Sequence, residues 1–127
     1  MKIVIIGLSA AGLSALETVL RYSPEAEIIA ISEENRQPYC RCLLTMYLGR
    51  EVRQDFMTIR NTDHYPKNVT WLLGERVLRI DPGQKNVNCA SGRTLIYDKL
   101  LIATGAGAIR PAYCREENRA FTLRFLE

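Results

Sequence analysis

Hydrophobic residues at the N-terminus follow first a strand pattern and then a helix pattern. Lys2–Ile6 is an unbroken β-branched run that ends at Gly7, as in strands buried on both faces. After Gly12, leucines recur at helical spacing, at Leu13, Leu16 and Leu20. Glu27–Ser32 repeats the strand pattern. A strand, glycine turn, helix and strand within about 30 residues predict a βαβ unit with parallel strands.

The pattern changes after this unit. Residues 37–49 are typical of a loop that leads into a short helix, and a second helical segment is predicted at 58–65, before Pro66. Four short strand candidates follow, separated by turn sequences: Val69–Leu73, 75–80, Asn86–Cys89 and 94–97. Residues 99–103 return to the buried-strand pattern. The predicted fold class is α/β, a Rossmann-like domain with a parallel sheet and an inserted antiparallel β-meander that contains the four candidates.

Composition narrows the possible functions. The 127 residues, 47% of them hydrophobic, suit one domain with its own core. The net charge of +3, from 17 basic and 14 acidic residues without a long run, does not predict binding to nucleic acid or an anionic membrane. The four cysteines form no C-x-x-C pair and there is one histidine, so no metal site is expected. No apolar run reaches the roughly 20 residues of a membrane span.

The cellular compartment is predicted from the same features. Free thiols in a chain with an ordinary hydrophobic core are typical of the reducing cytosol, so we expect a cytoplasmic protein. Asn68 begins an N-glycosylation sequon, Asn-Val-Thr. In a cytoplasmic chain that sequon has no use.

A glycine-rich turn is the first candidate for chemistry. Gly7, Ser9 and Gly12 have the G-x-G-x-x-G spacing, with serine in the second position. The first glycine permits a tight turn, a small second residue lets backbone N–H groups approach a pyrophosphate, and the third lets the helix pack on the strand. Ala10 and Ala11 lie between them, where a helix N-terminus stabilises phosphate charge. By itself the triplet also fits a small-residue turn in any α/β protein.

Two acidic residues make the case for a dinucleotide stronger. Glu33 and Glu34 come just after the second predicted strand. An acid at this place binds a ribose diol in dinucleotide sites, and its charge disfavours a 2′-phosphate. Glu33 is the first candidate for this role; alternatively, Glu33 is a solvated loop residue and Glu34 takes its place. The strand, turn, helix and acid together predict dinucleotide binding.

Four stretches, in order along nearly the whole chain, carry a family resemblance. They are the turn at 7–12; Ile-Ser-Glu-Glu at 31–34 with Pro-Tyr-Cys-Arg at 38–41; Tyr-Asp-Lys-Leu-Leu-Ile-Ala-Thr-Gly-Ala at 97–106; and Phe-Thr-Leu-Arg at 121–124. The chain resembles the FAD domain of the pyridine nucleotide-disulfide oxidoreductase superfamily, particularly its nitrite reductase-like, NADH oxidase-like and apoptosis-inducing-factor-like members. The third stretch is the most specific, because a NAD-only dehydrogenase has no equivalent after a β-meander.

The resemblance implies an FAD-binding domain and a role for each candidate. Gly7, Ser9 and Gly12 would line the FAD pyrophosphate. Glu33 would bind the adenosine ribose, with Glu34 as the alternative, and Arg41 would reach the phosphates. The backbone of Val77 would meet the adenine, and three residues would pass close to the cofactor: Ala103, Thr104 and Gly105. The structural alternatives are a surface cation for Arg41, a core residue for Val77 and a strand-ending turn at 104–105.

Cys42 is the candidate catalytic residue. It lies beside Arg41 before a predicted short helix, and both features favour a thiolate. The resemblance places it where NADH oxidase-like and coenzyme A-disulfide reductase-like members carry one active cysteine; the alternative is a small buried hydrophobe. Cys40 would point the other way in an extended backbone, which makes a Cys40–Cys42 disulfide geometrically poor. Met46 stands where apoptosis-inducing-factor-like members place a lysine near the flavin.

The function implied is that of an FAD-dependent NAD(P)H oxidoreductase. Electrons would pass from NAD(P)H through flavin to oxygen, peroxide, a disulfide, rubredoxin or another carrier. Whole members add an NAD(P)H-binding domain, a Gly-Asp segment that closes over the flavin and often an interface domain. We therefore expect residues 1–127 to be an FAD-binding fragment, inactive alone, that forms a homodimer or self-associates. Two alternatives stay open: the Rossmann domain of a NAD-dependent dehydrogenase, and a non-catalytic binding module with a vestigial cofactor site.

Overall fold

The computed structural model describes residues 1–109, 111 and 122–126. Cys114, one of the four cysteines, and Phe121, the first residue of the stretch at 121–124, lie outside this range. The described helices and strands, in chain order, are β1 (Lys2–Ile6), α1 (Ala10–Tyr22), β2 (Glu27–Ser32), α2 (Leu44–Leu48), α3 (Gln54–Met57), β3 (Val69–Leu73), β4 (Val77–Asp81), β5 (Asn86–Cys89), β6 (Thr94–Ile96) and β7 (Lys99–Ile102). Single 3₁₀ turns occupy Arg41–Leu43 and Thr62–His64.

A parallel sheet with strand order β3-β2-β1-β7 forms the centre of the fold. The bounds of β1 and β2 are as predicted, because both runs are β-branched and stop at residues that favour turns. β7 returns beside β1, with Ile3 opposite Lys99. The backbone N–H of Lys2 donates a hydrogen bond of 2.6 Å to the Asp98 carboxylate at the start of this pairing. As a result, the carboxyl ends of β1 and β7 lie side by side.

The two faces of the parallel sheet are covered by different layers. Ile3 and Ile5 of β1 pack in one core cluster with Leu16 of α1. Val4 belongs to a second cluster on the opposite face, together with Val87 of β5. This alternation follows from the two-residue repeat of a strand. The α/β fold class is therefore confirmed, with a helix layer, a parallel sheet and an antiparallel sheet stacked in that order.

The predicted antiparallel meander is confirmed, but it contains one strand fewer than expected. Val69–Leu73 is β3, and it pairs in parallel with β2, with Ile28 opposite Val69. The antiparallel sheet of the described chain has the order β4-β5-β6, and β4 starts at Val77 rather than at residue 75. Gly74, with φ 74°, turns the chain between the two sheets, and its N–H donates to the Glu34 carbonyl oxygen.

The helix predicted at 58–65 is wrong. The helical residues lie earlier, in α3, and the chain is extended at Thr58, which forms an antiparallel bridge with Tyr39. Backbone hydrogen bonds from Cys40 to Met57 and from Ile59 to Pro38, of 2.9 and 3.0 Å, fix this contact. Only Thr62–His64 makes a helical turn. Pairing with a distant segment has overridden the local pattern. The same contact helps to bury a third, small cluster of Tyr39, Leu44, Met57 and Leu126.

Asn68 has a structural role. Its side-chain amide donates to the carbonyl oxygens of Pro24 and Ala26, at 2.9 and 2.7 Å, and ties the start of β3 to the turn after α1.

The described residues contain no helix that is long and apolar enough to cross a membrane. Within those same residues, no three His, Cys, Asp or Glu side chains are grouped to hold a metal ion.

Candidate functional site

Gly7 turns the chain sharply as it leaves β1. It has φ 98°, and its N–H donates to the Ile31 carbonyl oxygen at 2.8 Å. A Cβ at this position would lie 2.3 Å from the Ala103 carbonyl oxygen, so no side chain fits. A Cβ on Gly12 would lie 1.8 Å from the Gly7 carbonyl oxygen. The main chains at the ends of β1 and β7 and the start of α1 therefore meet without side chains between them.

The N-terminus of α1 is open to an anion. Ser9 is the N-cap residue, and its side chain makes no capping hydrogen bond. The first N–H groups of a helix have no partner within it, and these belong to Ala10, Ala11 and Gly12. Ala10 and Ala11 are exposed. These donors, with the positive end of a 13-residue helix, can hold phosphate oxygens.

A cleft of about 200 Å³ opens beside this helix end. Most of the predicted cofactor-binding residues line it: Gly7, Ser9, Glu33, Glu34, Arg41, Ala103, Thr104 and Gly105. Arg124 also lines it, and sequence analysis had given that residue no role. Sites for whole organic ligands run to roughly 300–1,000 Å³, so this cleft has room for part of a dinucleotide. Its small residues and exposed donors fit a diphosphate with an adjoining ribose.

The two adjacent glutamates occupy different environments. Glu34 is buried, with 6% of its surface exposed, and its carboxylate accepts a hydrogen bond of 2.7 Å from the Tyr39 hydroxyl. The same carboxylate forms a short ion pair with Arg41. The Glu33 side chain is 46% exposed, and Arg76 Nε lies 3.9 Å from its carboxylate. Glu33 therefore presents the accessible carboxylate of the pair, whereas the carboxylate of Glu34 is already engaged.

Arg41 connects the cleft to residues 122–126. One guanidinium nitrogen pairs with Glu34, and the other donates to the Arg124 carbonyl oxygen at 2.6 Å. The Arg124 guanidinium in turn donates to the Thr104 carbonyl oxygen at 3.4 Å, and the Leu126 N–H donates to the hydroxyl oxygen of Tyr39 at 3.1 Å. Spacing along the chain contains no signal for these contacts, because each depends on the tertiary fold.

Burial and the hydrogen bond to Glu34 raise the pKa of Tyr39 to about 12. The phenol therefore stays protonated at neutral pH and donates its proton to the Glu34 carboxylate. The carboxylate accepts from Tyr39 and Arg41 at the same time, which fixes it in place.

Five predicted residues are not among those that line the cleft in the described part of the chain: Ala10, Ala11 and Gly12, which form the helix end beside it, and Val77 and Cys42. Val77 is half-buried at the start of β4 and packs against the cluster that contains Val87. Cys42 is an exposed free cysteine in the 3₁₀ turn, and Cys40 is half-buried and also free. Met46, in α2, is 38% exposed and also lies outside the cleft lining.

Comparison with known proteins gives a consistent result. Residues 1–127 match the family model described as pyridine nucleotide-disulphide oxidoreductase. The chain is 36% identical over 107 residues to the assimilatory nitrate reductase electron transfer subunit of Bacillus subtilis, and the match covers 83% of this chain and 14% of that protein. It is 32% identical over 112 residues to a rubredoxin-NAD(+) reductase of Ectopseudomonas oleovorans, covering 87% and 29%.

Solved structures agree with this match. The NADH:rubredoxin oxidoreductase from Clostridium acetobutylicum superposes with a TM-score of 0.75 at 32% identity, over 89% of this chain and 30% of that one. A putidaredoxin reductase-putidaredoxin complex gives a TM-score of 0.79 at 28% identity, over 89% and 27%. The chain thus spans less than a third of the length of these relatives.

Proposed function

Because the chain belongs to the pyridine nucleotide-disulphide oxidoreductase family, we propose that its cleft binds the adenosine diphosphate half of FAD. In the whole protein, the flavin would carry electrons from NAD(P)H to an acceptor. One observation carries this proposal: a Cβ on Gly7 or on Gly12 would collide with main chain, at 2.3 and 1.8 Å. That packing leaves a bare backbone surface at a helix N-terminus, which is where a pyrophosphate binds in dinucleotide folds.

The pyrophosphate would lie over the start of α1. The N–H groups of Ala10, Ala11 and Gly12 would donate to its oxygens, and Ser9 would contribute its small side chain. Because Gly7 has no side chain, the approach of the pyrophosphate to these N–H groups would stay open. Arg41, whose side chain is 32% exposed and lines the cleft, would add a positive charge on the opposite side.

The adenosine would lie towards the carboxyl end of β2. Glu33 would accept hydrogen bonds from the ribose diol, because its carboxylate is the accessible one of the pair. The backbone of Val77 would meet the adenine; in support, the neighbouring Arg76 already reaches Glu33. Ala103, Thr104 and Gly105 would follow the cofactor along the other wall of the cleft. Bound FAD would supply two-electron redox chemistry, and the described residues would bind and orient it.

The whole protein would contain more than this domain. We propose that residues 1–127 are its FAD-binding part, and that an NAD(P)H-binding domain, a segment closing over the flavin and an interface domain belong to the rest. The acceptor would be a carrier protein such as a rubredoxin, oxygen, peroxide or a disulfide. A homodimer is the assembly we propose for the whole protein, and self-association is proposed for residues 1–127 alone, where Ile102 on the edge strand β7 is 58% exposed.

Cys42 would act as a redox thiol in the whole protein. Its exposed position beside Arg41 supports this role, since an accessible thiol next to a cation is the more reactive kind. In the whole protein, Cys42→Ser should remove any thiolate-to-flavin charge-transfer band and lower peroxide or disulfide reduction while FAD stays bound. Full activity of that variant towards every acceptor would show that Cys42 has no redox role.

Calorimetric titration of the 127-residue chain with FAD, NADH and NADP tests the proposed function. FAD should bind, weakly, in preference to both nicotinamide nucleotides. Binding of NADH in preference to FAD would overturn the proposal in favour of a NAD-dependent dehydrogenase domain. If none of the three nucleotides binds, the result would favour the alternative of a non-catalytic module with a vestigial cofactor site.

A further inference from the structure

Glu34 is an unexpected residue for an anion site. Glu34 is one of the residues that line the cleft, yet like charges repel, so a carboxylate close to a diphosphate opposes binding by simple electrostatics. At 6% exposure it is also too buried to serve as a ligand for a sugar. A buried charge is retained only with close partners, and its partners therefore indicate what it does.

The partners of Glu34 fix a guanidinium in one orientation. Arg41 gives one terminal nitrogen to Glu34 and the other to the Arg124 carbonyl oxygen. A planar guanidinium held at two points can neither rotate nor swing out into solvent. Arginine has five N–H donors, so donors remain for phosphate oxygens on the side that lines the cleft.

Tyr39 fixes Glu34 in turn. Its hydroxyl donates to the second carboxylate oxygen at 2.7 Å, and the same hydroxyl accepts the Leu126 N–H at 3.1 Å. Both oxygens of Glu34 are thus occupied, and the carboxylate holds a single orientation. A flexible acid would not orient Arg41 in this way.

We propose that Glu34 is a positioning residue, which holds the Arg41 guanidinium towards the diphosphate of the cofactor and does not itself contact the ligand. This inference rests on the proposed function. It predicts a direction of change that electrostatics alone does not. Removing the Glu34 charge should weaken diphosphate binding, whereas a carboxylate that acted only through its charge would on removal strengthen it.

The test compares Glu34→Gln with a matched control elsewhere in the fold. Glu17 on α1 accepts from the Tyr65 hydroxyl at 3.0 Å and pairs with Arg60 at 3.5 Å. Glu17→Gln therefore alters the same kind of Glu-Tyr-Arg group away from the cleft. The probes are FAD, ADP and adenosine, with dissociation constants measured by calorimetry. Glu34→Gln should weaken FAD and ADP about tenfold and leave adenosine unchanged, and Glu17→Gln should change none of the three.

A double-mutant cycle separates positioning from a general structural effect. Arg41→Gln should weaken ADP, and adding Glu34→Gln to it should cause little further loss, because the residue that Glu34 positions is already gone. Unchanged or tighter ADP binding by Glu34→Gln, or losses that add in the double variant, would overturn the inference. Equal loss of adenosine would do the same, since it shows damage to the fold. A wild-type chain that binds neither FAD nor ADP would instead refute the proposed function, and this inference with it.

Discussion

The carbonyl oxygen of Ala103 occupies the space where a side chain on Gly7 would begin, 2.3 Å from an ideal Cβ. The two residues directly follow neighbouring parallel strands, β1 and β7, and the Ala103 N–H also donates to the Ile6 carbonyl oxygen at 2.7 Å. The sheet and the glycine turn are therefore packed against each other, and a change at one must move the other.

Gly7→Ala should strongly destabilise the fold. We expect the free energy of unfolding to fall by about 3 kcal/mol or more, because a main-chain clash is added to the cost of a positive φ. Gly92→Ala is the control: the φ of Gly92, 84°, is similar, but nothing lies within 4 Å of an ideal Cβ added there, so the loss should be about 1 kcal/mol. Denaturant unfolding measures both, and equal losses would show that the Ala103 contact does not limit residue 7.

The free energy of unfolding should fall at alkaline pH because the Tyr39 hydroxyl ionises there. Its pKa is raised from 10.0 in the unfolded chain to about 12 in the folded one, so the neutral phenol favours the folded state. This contribution is fully present below pH 10, falls as pH rises from 10 to 12 and is absent above. Two pKa units correspond to about 2–3 kcal/mol. Unfolding free energies at a series of pH values should show this decline, and the difference between wild type and Tyr39→Phe should shrink over the same interval. A difference that stays constant with pH would refute this.

The local hydrophobic pattern was sufficient to predict the central strands β1 and β2. It was insufficient to predict which segments of the chain pair with each other. β1 and β2 were predicted residue by residue because a β-branched run has few alternatives between turn residues. β3 was correctly predicted as a strand but assigned to the wrong sheet, since the choice between parallel and antiparallel partners is made by the fold as a whole. The helix predicted at 58–65 failed for the same reason, because the bridge between Tyr39 and Thr58 joins segments far apart in sequence.

The candidate site, like the fold, was predicted only in part from the sequence. The glycine spacing located the tight turn between β1 and α1, since that motif reflects backbone geometry that only a few residues permit. The sequence left Glu33 and Glu34 as alternatives, and burial distinguishes them in the fold. The contacts of Glu34 with Tyr39 and Arg41 could not be predicted, because the reason to bury a carboxylate exists only once its partners are in place.

Glu33→Arg should weaken FAD binding about tenfold, because the substitution removes the proposed ribose acceptor and adds a cation beside Arg76. The wild-type chain should also prefer FAD to NADP, since the Glu33 carboxylate repels a 2′-phosphate. Calorimetric titration of both chains with both nucleotides checks these expectations. Unchanged FAD affinity in Glu33→Arg would remove Glu33 from the ribose site.

The cysteines should differ in reactivity. Cys42 is exposed, whereas Cys89 is buried in β5, and burial raises the pKa of the Cys89 thiol. Because the thiolate is the reacting species, an aromatic disulfide reagent should modify Cys42 well before Cys89 in the native chain. Mass spectrometry of digests at timed intervals locates the modified residue. Equal rates in the native chain, or modification of Cys89 first, would contradict this order.

The 127-residue chain with added FAD should oxidise NADH no faster than FAD alone. The cleft is proposed to hold part of one dinucleotide, and hydride transfer requires a nicotinamide held against the flavin in a second pocket. The loss of NADH absorbance, with and without the chain, measures this. Turnover clearly above the free-flavin rate would mean that these residues position both nucleotides.

The pairing of β1 with β7 has a consequence during synthesis. Lys2 and Asp98, which bond at the start of that pairing, are 96 positions apart. At about 5–20 residues per second, the ribosome releases β1 roughly 5–20 s before its partner strand. During that interval β2 can cover one edge of β1, while the other edge stays open on an isoleucine-rich strand. We expect a nascent chain of this kind to be bound by a chaperone that recognises apolar strands, and stalled translation shortly before residue 99 should prolong that association.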